Sequence, residues 1–441
     1  MGDICHITVI SCLWVIPFCV LTFFQYKIQA VENWTGPRNL LLKNPVYYDY
    51  FRTQKAYLAN KTFFNLLRLK SLEAVFPSLT NMQKVTFNNK TSPFFDSLKS
   101  KVETYFENNK VESTGNEKLY VKSIVLLTLA AFLYVLLVFF TPPMWLSILL
   151  CIVMGFTVAG IGFNVMHDAA HGSYSENKKL NNVMAWSLNL MGASSFMWKI
   201  KHNIIHHSYT NIEGMDDDIN IQPFFRVNDQ QKRYWFHRFQ HYYCFLFYGV
   251  TYFIWVFYLD FNKYFSGSIG PIKIRKMEWH EHVGFWFTKV LYVFTAIVIP
   301  VSIVGWGPAL LGFGIIQFVC GVIISTIFQL AHVVEHAEFP EPNPATQKIE
   351  EEWAAHQVMT TVNFSPRSYL IRWFSGGLNY QIEHHLFPRI SHIHYPAISP
   401  LVKETCKEYG IPYNQYPTFF KAVQSHVLHL KMMASARVAT C

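Results

Sequence analysis

"LLVFFTPPMWLSILL", residues 136–150, sets two apolar runs back to back around a turn that carries no charge. The first run extends back to give Leu119–Phe140, and the second continues forward as Met144–Met166. Each is long enough to cross the hydrocarbon core of a bilayer. A second pair follows, Gly284–Val304 and Ala309–Ala331, joined by "GWGP". The stretches outside these pairs carry Lys84, Lys99, Lys101, Lys118, Lys199, Lys201, Lys232, Arg233, Lys273, Arg275 and Lys276. Basic residues collect on the cytoplasmic side, so the short turns are expected outside and the rest inside. The pattern predicts an all-α integral membrane protein with four transmembrane helices in two hairpins.

Composition agrees. Of 441 residues, 51% are hydrophobic and only 15% are charged, against roughly 25% charged in soluble domains. The net charge is +9, with the basic residues flanking apolar segments. That placement favours a membrane surface or an acidic protein partner over nucleic acid. None of the eight cysteines forms a C-x-x-C pair, and several sit in apolar runs. Neither a disulfide framework nor a thiolate metal site is expected.

Two further apolar stretches need a decision. Val183–Trp198 is short and interrupted by polar residues, while Tyr242–Leu259 is long enough to span but dominated by aromatics. If the histidine groups described next share one site, neither stretch crosses alone, and both lie in the interface or pack against the bundle. The alternative is that Tyr242–Leu259 spans and the groups are not one site. Residues 1–81 read as an N-terminal extension with a candidate anchor at 7–24, dispensable for a unit spanning 82–425, with 426–441 as a tail. Within that unit Ser92 and Pro93 mark a helix start. Phe95, Leu98, Val102 and Phe106 then form one face, suited to lying on the membrane.

The nineteen histidines cluster. "HDAAH" supplies His167 and His171, "HNIIHH" supplies His202, His206 and His207, and "QIEHH" supplies His384 and His385. Spacing of four on a helix stacks two side chains on one face, so His167/His171 and His202/His206 can each pinch a metal. His207 points aside toward a second metal, and His384 and His385 can divide between the two. Seven imidazoles exceed what one ion takes, since a structural zinc site closes with four ligands. Two metals are expected. Spacing cannot choose the element, because imidazole suits zinc, copper, iron and nickel. His332, at the inner end of the last span, is an eighth candidate, with His336 a turn further on. His237, His241, His280, His282 and His356 read as interfacial or hydrogen-bonded residues, and His392 and His394 are set aside.

"HDAAH", "HNIIHHSYTN" and "GGLNYQIEHHLFP", in that order around two hydrophobic hairpins, resemble the membrane-bound fatty acid desaturases over roughly residues 82–425. The glutamine opening the third group is similar to front-end and related bacterial acyl desaturases. Gln381 thus stands where other members have histidine, and its amide oxygen or a water could complete the metal shell. The resemblance implies a helical bundle with four spans and a cytoplasmic cap holding two irons, bound by His167, His171, His202, His206, His207, His384 and His385, with His332 completing the set. It implies dioxygen as co-substrate, a cis double bond and water as products, and an acyl substrate on coenzyme A, a carrier or a lipid. Many relatives carry a fused haem domain with an "HPGG" motif. Its absence here implies a separate electron donor such as ferredoxin or cytochrome b5. Metal-bound imidazoles need partners that fix the ring, and Asp168, Glu383 and Asp216–Asp218 are the expected suppliers. A diiron lipid or alkane hydroxylase is the principal alternative. A zinc-dependent membrane hydrolase or receptor and a transporter fit the histidine count and placement less well.

Overall fold

Five helices are long and apolar enough to cross a membrane in a computed structural model that describes residues 85–89 and 92–435. They are Glu117–Phe140, Met144–His171, Trp235–Ser266, Trp279–Val304 and Trp306–His332. The expectations for residues 1–81, including the anchor at 7–24, lie outside the described residues. The four runs read from hydropathy all lie within helices of this set. Asn116 starts the first by accepting from the Lys118 amide at 3.0 Å. Thr141, at φ 45°, stops it ahead of two prolines, which cannot continue an intrahelical ladder. Gly305, at φ 82°, makes the corresponding break between the last two helices. Large apolar side chains stay exposed along these helices, among them Ile124, Phe132, Phe140, Trp145, Phe287, Val290 and Trp306. A lipid solvent explains such a belt where water would not, and the chain is a multi-pass membrane protein.

Trp235–Ser266 goes beyond the expectation of an aromatic interfacial stretch. It is a 32-residue helix packed along Trp306–His332. The two backbones nearly touch at Gly249 and Gly321. A Cβ on Gly321 would lie 2.6 Å from the Tyr248 carbonyl oxygen, and one on Gly249 would lie 2.1 Å from the Phe318 ring. Val183–Trp198 is no single element either. It contains the end of Lys178–Ala185, the helix Ser187–Leu190, a turn at 191–194 and the start of a new helix at Ser195.

The remaining elements gather around the histidine segments. The helix Pro93–Asn109 begins at Ser92 and Pro93 as expected, but it buries Phe94, Leu98 and Val102. That face packs on Tyr395–Glu408 and not on lipid, sharing a core with Val358, Ile382, Leu386, Ile398 and Val402. Phe95 instead meets Trp353 and Phe387 edge-on and stacked. Two parallel strand pairs, Thr86–Phe87 with Lys348–Ile349 and Asn363–Phe364 with Gln415–Tyr416, tie distant segments together. A small antiparallel pair joins Ser268–Ile269 to Ile272–Lys273. The boundary expected at residue 425 falls inside the helix Phe419–Ser435, which buries His426, His429, Leu430 and Ala434. Gln240 donates to the Leu430 carbonyl at 2.7 Å, so this helix belongs to the core.

Candidate metal centre

Each histidine group is delivered by a helix end. His167 and His171 close the helix Met144–His171, just before Gly172 turns the chain at φ 78°. His202, His206 and His207 lie on the continuous helix 195–209, which is π-helical over Ile200–His206. His384 and His385 sit in the short helix Gln381–Leu386. His332 is the last residue of Trp306–His332.

The structure brings these eight together. Nitrogens of His167, His171, His202 and His384 lie within 4.8 Å of one another, and so do those of His206, His332 and His385. His207 sits between the two sets, its ring 4.6 Å from that of His384 and 4.4 Å from that of His385. His384 and His385 divide between the sets as expected. His202 and His206 stack at 5.1 Å and 22°, and ligand atoms of these two and Asp218 also lie within 4.8 Å of one another.

The Nε2 atoms of all eight histidines are buried without a hydrogen-bond partner. An unsatisfied buried polar atom costs about 1–3 kcal/mol, so eight together fit a site built to take metal ions. The other nitrogens of four rings are held, while Nδ1 of His207 and of His332 is also unpartnered. His202 Nδ1 meets Asp218 at 3.2 Å, and His206 Nδ1 meets Asp216 at 2.9 Å. His384 Nδ1 lies 3.1 Å from the Tyr395 hydroxyl, and His385 Nδ1 lies 2.9 Å from Gln357 Oε1. Such contacts orient a ligating imidazole and leave its other nitrogen free for metal.

Electrostatics point the same way. Burial, then the neighbouring imidazoles, holds His207, His384 and His385 well below the ordinary histidine range. Burial also brings His202 down to about 4, although Asp218 opposes it. Neutral imidazole is the form that binds metal. His206 departs from this, since burial lowers it but the Asp216 carboxylate outweighs burial and raises it. Burial pushes Asp218 up, and the Lys201 ammonium against it prevails, keeping the carboxyl well below its usual range.

Other sequence candidates end elsewhere. Asp168 accepts from Ser391 at 2.7 Å and from His392 Nδ1 at 2.9 Å, and no hydrogen bond joins it to a cluster histidine among the described residues. Glu383 accepts from Tyr413 and Asn363, both at 2.7 Å. Asp217 pairs with Lys263 at 2.8 Å. His336 is exposed and stacks on Tyr416. Gln381 is buried with both side-chain polar atoms unpartnered, one turn ahead of His384 and His385, which suits an additional oxygen donor. His237 and His356 each donate Nε2–H to a backbone carbonyl, at 2.7 Å from Pro223 O and 2.9 Å from Thr210 O. Gln357 and Tyr395 were not legible as site residues, because nothing local distinguishes a glutamine or tyrosine that touches a ligand. Trp198 and Phe328 belong with them. Trp198 stacks on His202 at 4.5 Å, and Phe328 lies 5.2 Å from both His206 and His332.

Residues 143–417 match the family model described as fatty acid desaturase. The acyl-lipid (8-3)-desaturase of Physcomitrium patens is 41% identical over 343 residues, covering 77% of this chain and 71% of that protein. The sn-1 linoleoyl-lipid 6-desaturase of Arthrospira platensis is 36% identical over 363 residues, covering 80% and 95%. The probable Delta(5) fatty acid desaturase C of Dictyostelium discoideum is 32% identical over 352 residues, covering 78% and 76%. Matched by the family model across more than half its length and by relatives along most of both chains, this chain belongs to the fatty acid desaturase family.

Proposed function

We propose that this desaturase inserts a cis double bond near the carboxyl end of a lipid-linked fatty acyl chain, at a two-iron centre on the cytoplasmic side, with dioxygen as co-substrate and electrons from a separate acidic donor. The observation that carries the reading is the set of eight inward-facing, unpartnered Nε2 atoms. The substrate class follows the names of two relatives, an acyl-lipid (8-3)-desaturase and an sn-1 linoleoyl-lipid 6-desaturase, beside a probable Delta(5) fatty acid desaturase. Bound by His167, His171, His202, His206, His207, His332, His384 and His385, iron would supply the strong oxidant that an unactivated methylene requires.

The chain's own residues do the rest. Asp216, Asp218, Tyr395 and Gln357 hold four of the rings in fixed orientation. Trp198 and Phe328 cover the cluster with apolar surface, which limits water near the reacting carbon. A cavity of about 870 Å³ lies among the spans, lined by Leu127, Tyr134, Val138, Ile161, Met191 and Ile316. Its inner end, at Ile161, is six residues ahead of His167 on the same helix, so an apolar chain has room close to the centre. Holding one methylene in reach is where such a protein gains most of its rate.

Four spans, not five, are part of the proposal, and parity supports it. His206 and His332 meet across 4.7 Å between ring centres. A membrane-crossing Trp235–Ser266 would leave them on opposite faces of the bilayer. Contacts at both ends of that helix favour the same conclusion. Gln240 donates to the Leu430 carbonyl at 2.7 Å near one end, and Lys263 pairs with Asp217 near the other. Exposed Lys178, Lys179, Lys232 and Arg233 form the basic surface for a donor.

The test is to supply a desaturase-deficient host with defined fatty acids and to locate new double bonds by mass spectrometry. A new bond on the carboxyl side of existing ones is expected. His206→Ala should abolish it and lower bound iron, whereas hydroxylated products or iron-free active protein would overturn the reading.

A further inference from the structure

Outside the histidine cluster, the spans hold another buried charged group. Lys289 lies in Trp279–Val304 and Asp260 near the end of Trp235–Ser266, both fully packed against protein. Their side chains meet at 2.8 Å. The three lysine protons are all used, on Asp260 Oδ2, the Gly192 carbonyl at 2.6 Å and the Val256 carbonyl at 2.8 Å. Val256 belongs to a π-helical stretch, Trp255–Leu259, whose bulge aims Asp260 inward. The same Asp260 oxygen accepts the Ser194 amide at 2.7 Å, and its other oxygen accepts the Trp255 indole at 3.1 Å.

These bonds converge on one turn, residues 191–194. Tyr252 adds a hydroxyl to the Met191 carbonyl at 2.5 Å. Gly192, at φ 95°, is pressed so closely on Tyr292 that a Cβ there would lie 2.6 Å from the ring. Side chains from two long helices therefore fix one short piece of backbone. Ser194 is the N-cap of the helix that runs on to Trp198, His202, His206 and His207, and its hydroxyl accepts from the Met197 amide. Replacing a buried ion pair by apolar groups is often neutral or stabilising. Ionisable residues within a span mark function by default. A fully satisfied polar network specifies geometry.

We propose that Lys289 and Asp260 are positioning residues for the metal centre, fixing the turn from which the second histidine helix starts and so setting where His202, His206 and His207 point. The inference rests on the two-metal reading above, and it assigns to that centre a control point eight residues before its nearest ligand in sequence. The charges serve the register of one helix against two long helices.

The experiment is Co(II) titration of the metal-stripped full chain in detergent, followed by its visible absorption, with turnover measured separately on the iron-loaded protein. The charge-neutral double variant Asp260→Asn/Lys289→Met is expected to remain monodisperse. It should bind Co(II) about 10–100-fold more weakly with an altered spectrum, as substitutions behind ligands do. Its kcat should fall by a similar factor while KM for the acyl substrate holds. Tyr252→Phe removes one tether without unpairing a charge and should weaken Co(II) binding in the same direction by a smaller factor, so a misfolded double variant does not end the test. Parental affinity, spectrum and kcat in a folded double variant, or unchanged Co(II) affinity in Tyr252→Phe, overturns the inference. Parental protein that takes up no Co(II) overturns the two-metal reading and this inference with it.

Discussion

Asp216 shows how much one side chain near the cluster carries. Its two oxygens accept His206 Nδ1, the Asn211 amide and the Asp218 amide, all within 3.1 Å. Every neighbour in that list is a donor, so an amide in its place turns an N–H toward another donor. Asp216→Asn is expected to weaken metal binding by roughly 10–100-fold, measured as metal per chain after dialysis. Lys201 carries a related lesson. Its basic charge reads from sequence as a docking residue, but the structure pairs it with Asp218 behind His202. Lys201→Glu should therefore strip metal, because two like charges would share a buried site. Lys199, whose nearest polar partner is Asn182 at 3.5 Å, remains a fair probe of donor binding. Lys199→Glu should leave metal content unchanged and slow reduction by the donor, with the difference shrinking at high salt. Equal metal loss in both variants would contradict this assignment.

At the level of elements, the packing of the long helices depends on small residues. Gly321 faces backbone oxygens of Tyr248 and Gly249 at 2.6 and 2.8 Å from where a Cβ would be. Backbone cannot move aside as a flexible side chain can. Gly321→Leu should separate Trp235–Ser266 from Trp306–His332 and destabilise the protein by roughly 1–3 kcal/mol or more. Thermal unfolding in detergent reads this directly. Activity should fall too, because His332 ends one of the two helices and Asp260 sits on the other. A variant with parental melting temperature would show that the contact is slack. The π-helical stretch at Ile200–His206 belongs to this scale as well. His202 and His206 stack on one another within it, a ring arrangement that a spacing rule for regular helices does not anticipate.

For the whole molecule, the decisive quantity is sidedness. Single cysteines introduced at Lys178 and at Glu350, both outside the long helices, should react with a membrane-impermeant thiol reagent from the same side of sealed vesicles. Cysteines at Thr141 and Trp306 should react from the other side. A split between Lys178 and Glu350 would require Trp235–Ser266 to cross the bilayer, and the four-span arrangement would fail.

The long helices and the histidines that gather in one cluster were legible in the chain alone. Hydropathy over twenty residues and imidazoles spaced by four are local signals, and local signals survive without knowledge of the fold. Most partners of those residues were not legible. Asp216 and Asp218 were among the expected suppliers, but that Asp168 serves His392 instead, that Gln357 and Tyr395 serve two rings, and that Lys289 and Asp260 secure the turn before Ser195 all depend on which segments meet. The meetings of Tyr395, Gln357, Asp260 and Lys289 join positions from 11 to 97 residues apart. They are set by the packing of helices at Gly249 and Gly321 and by satisfaction of buried polar groups, neither of which any short stretch encodes.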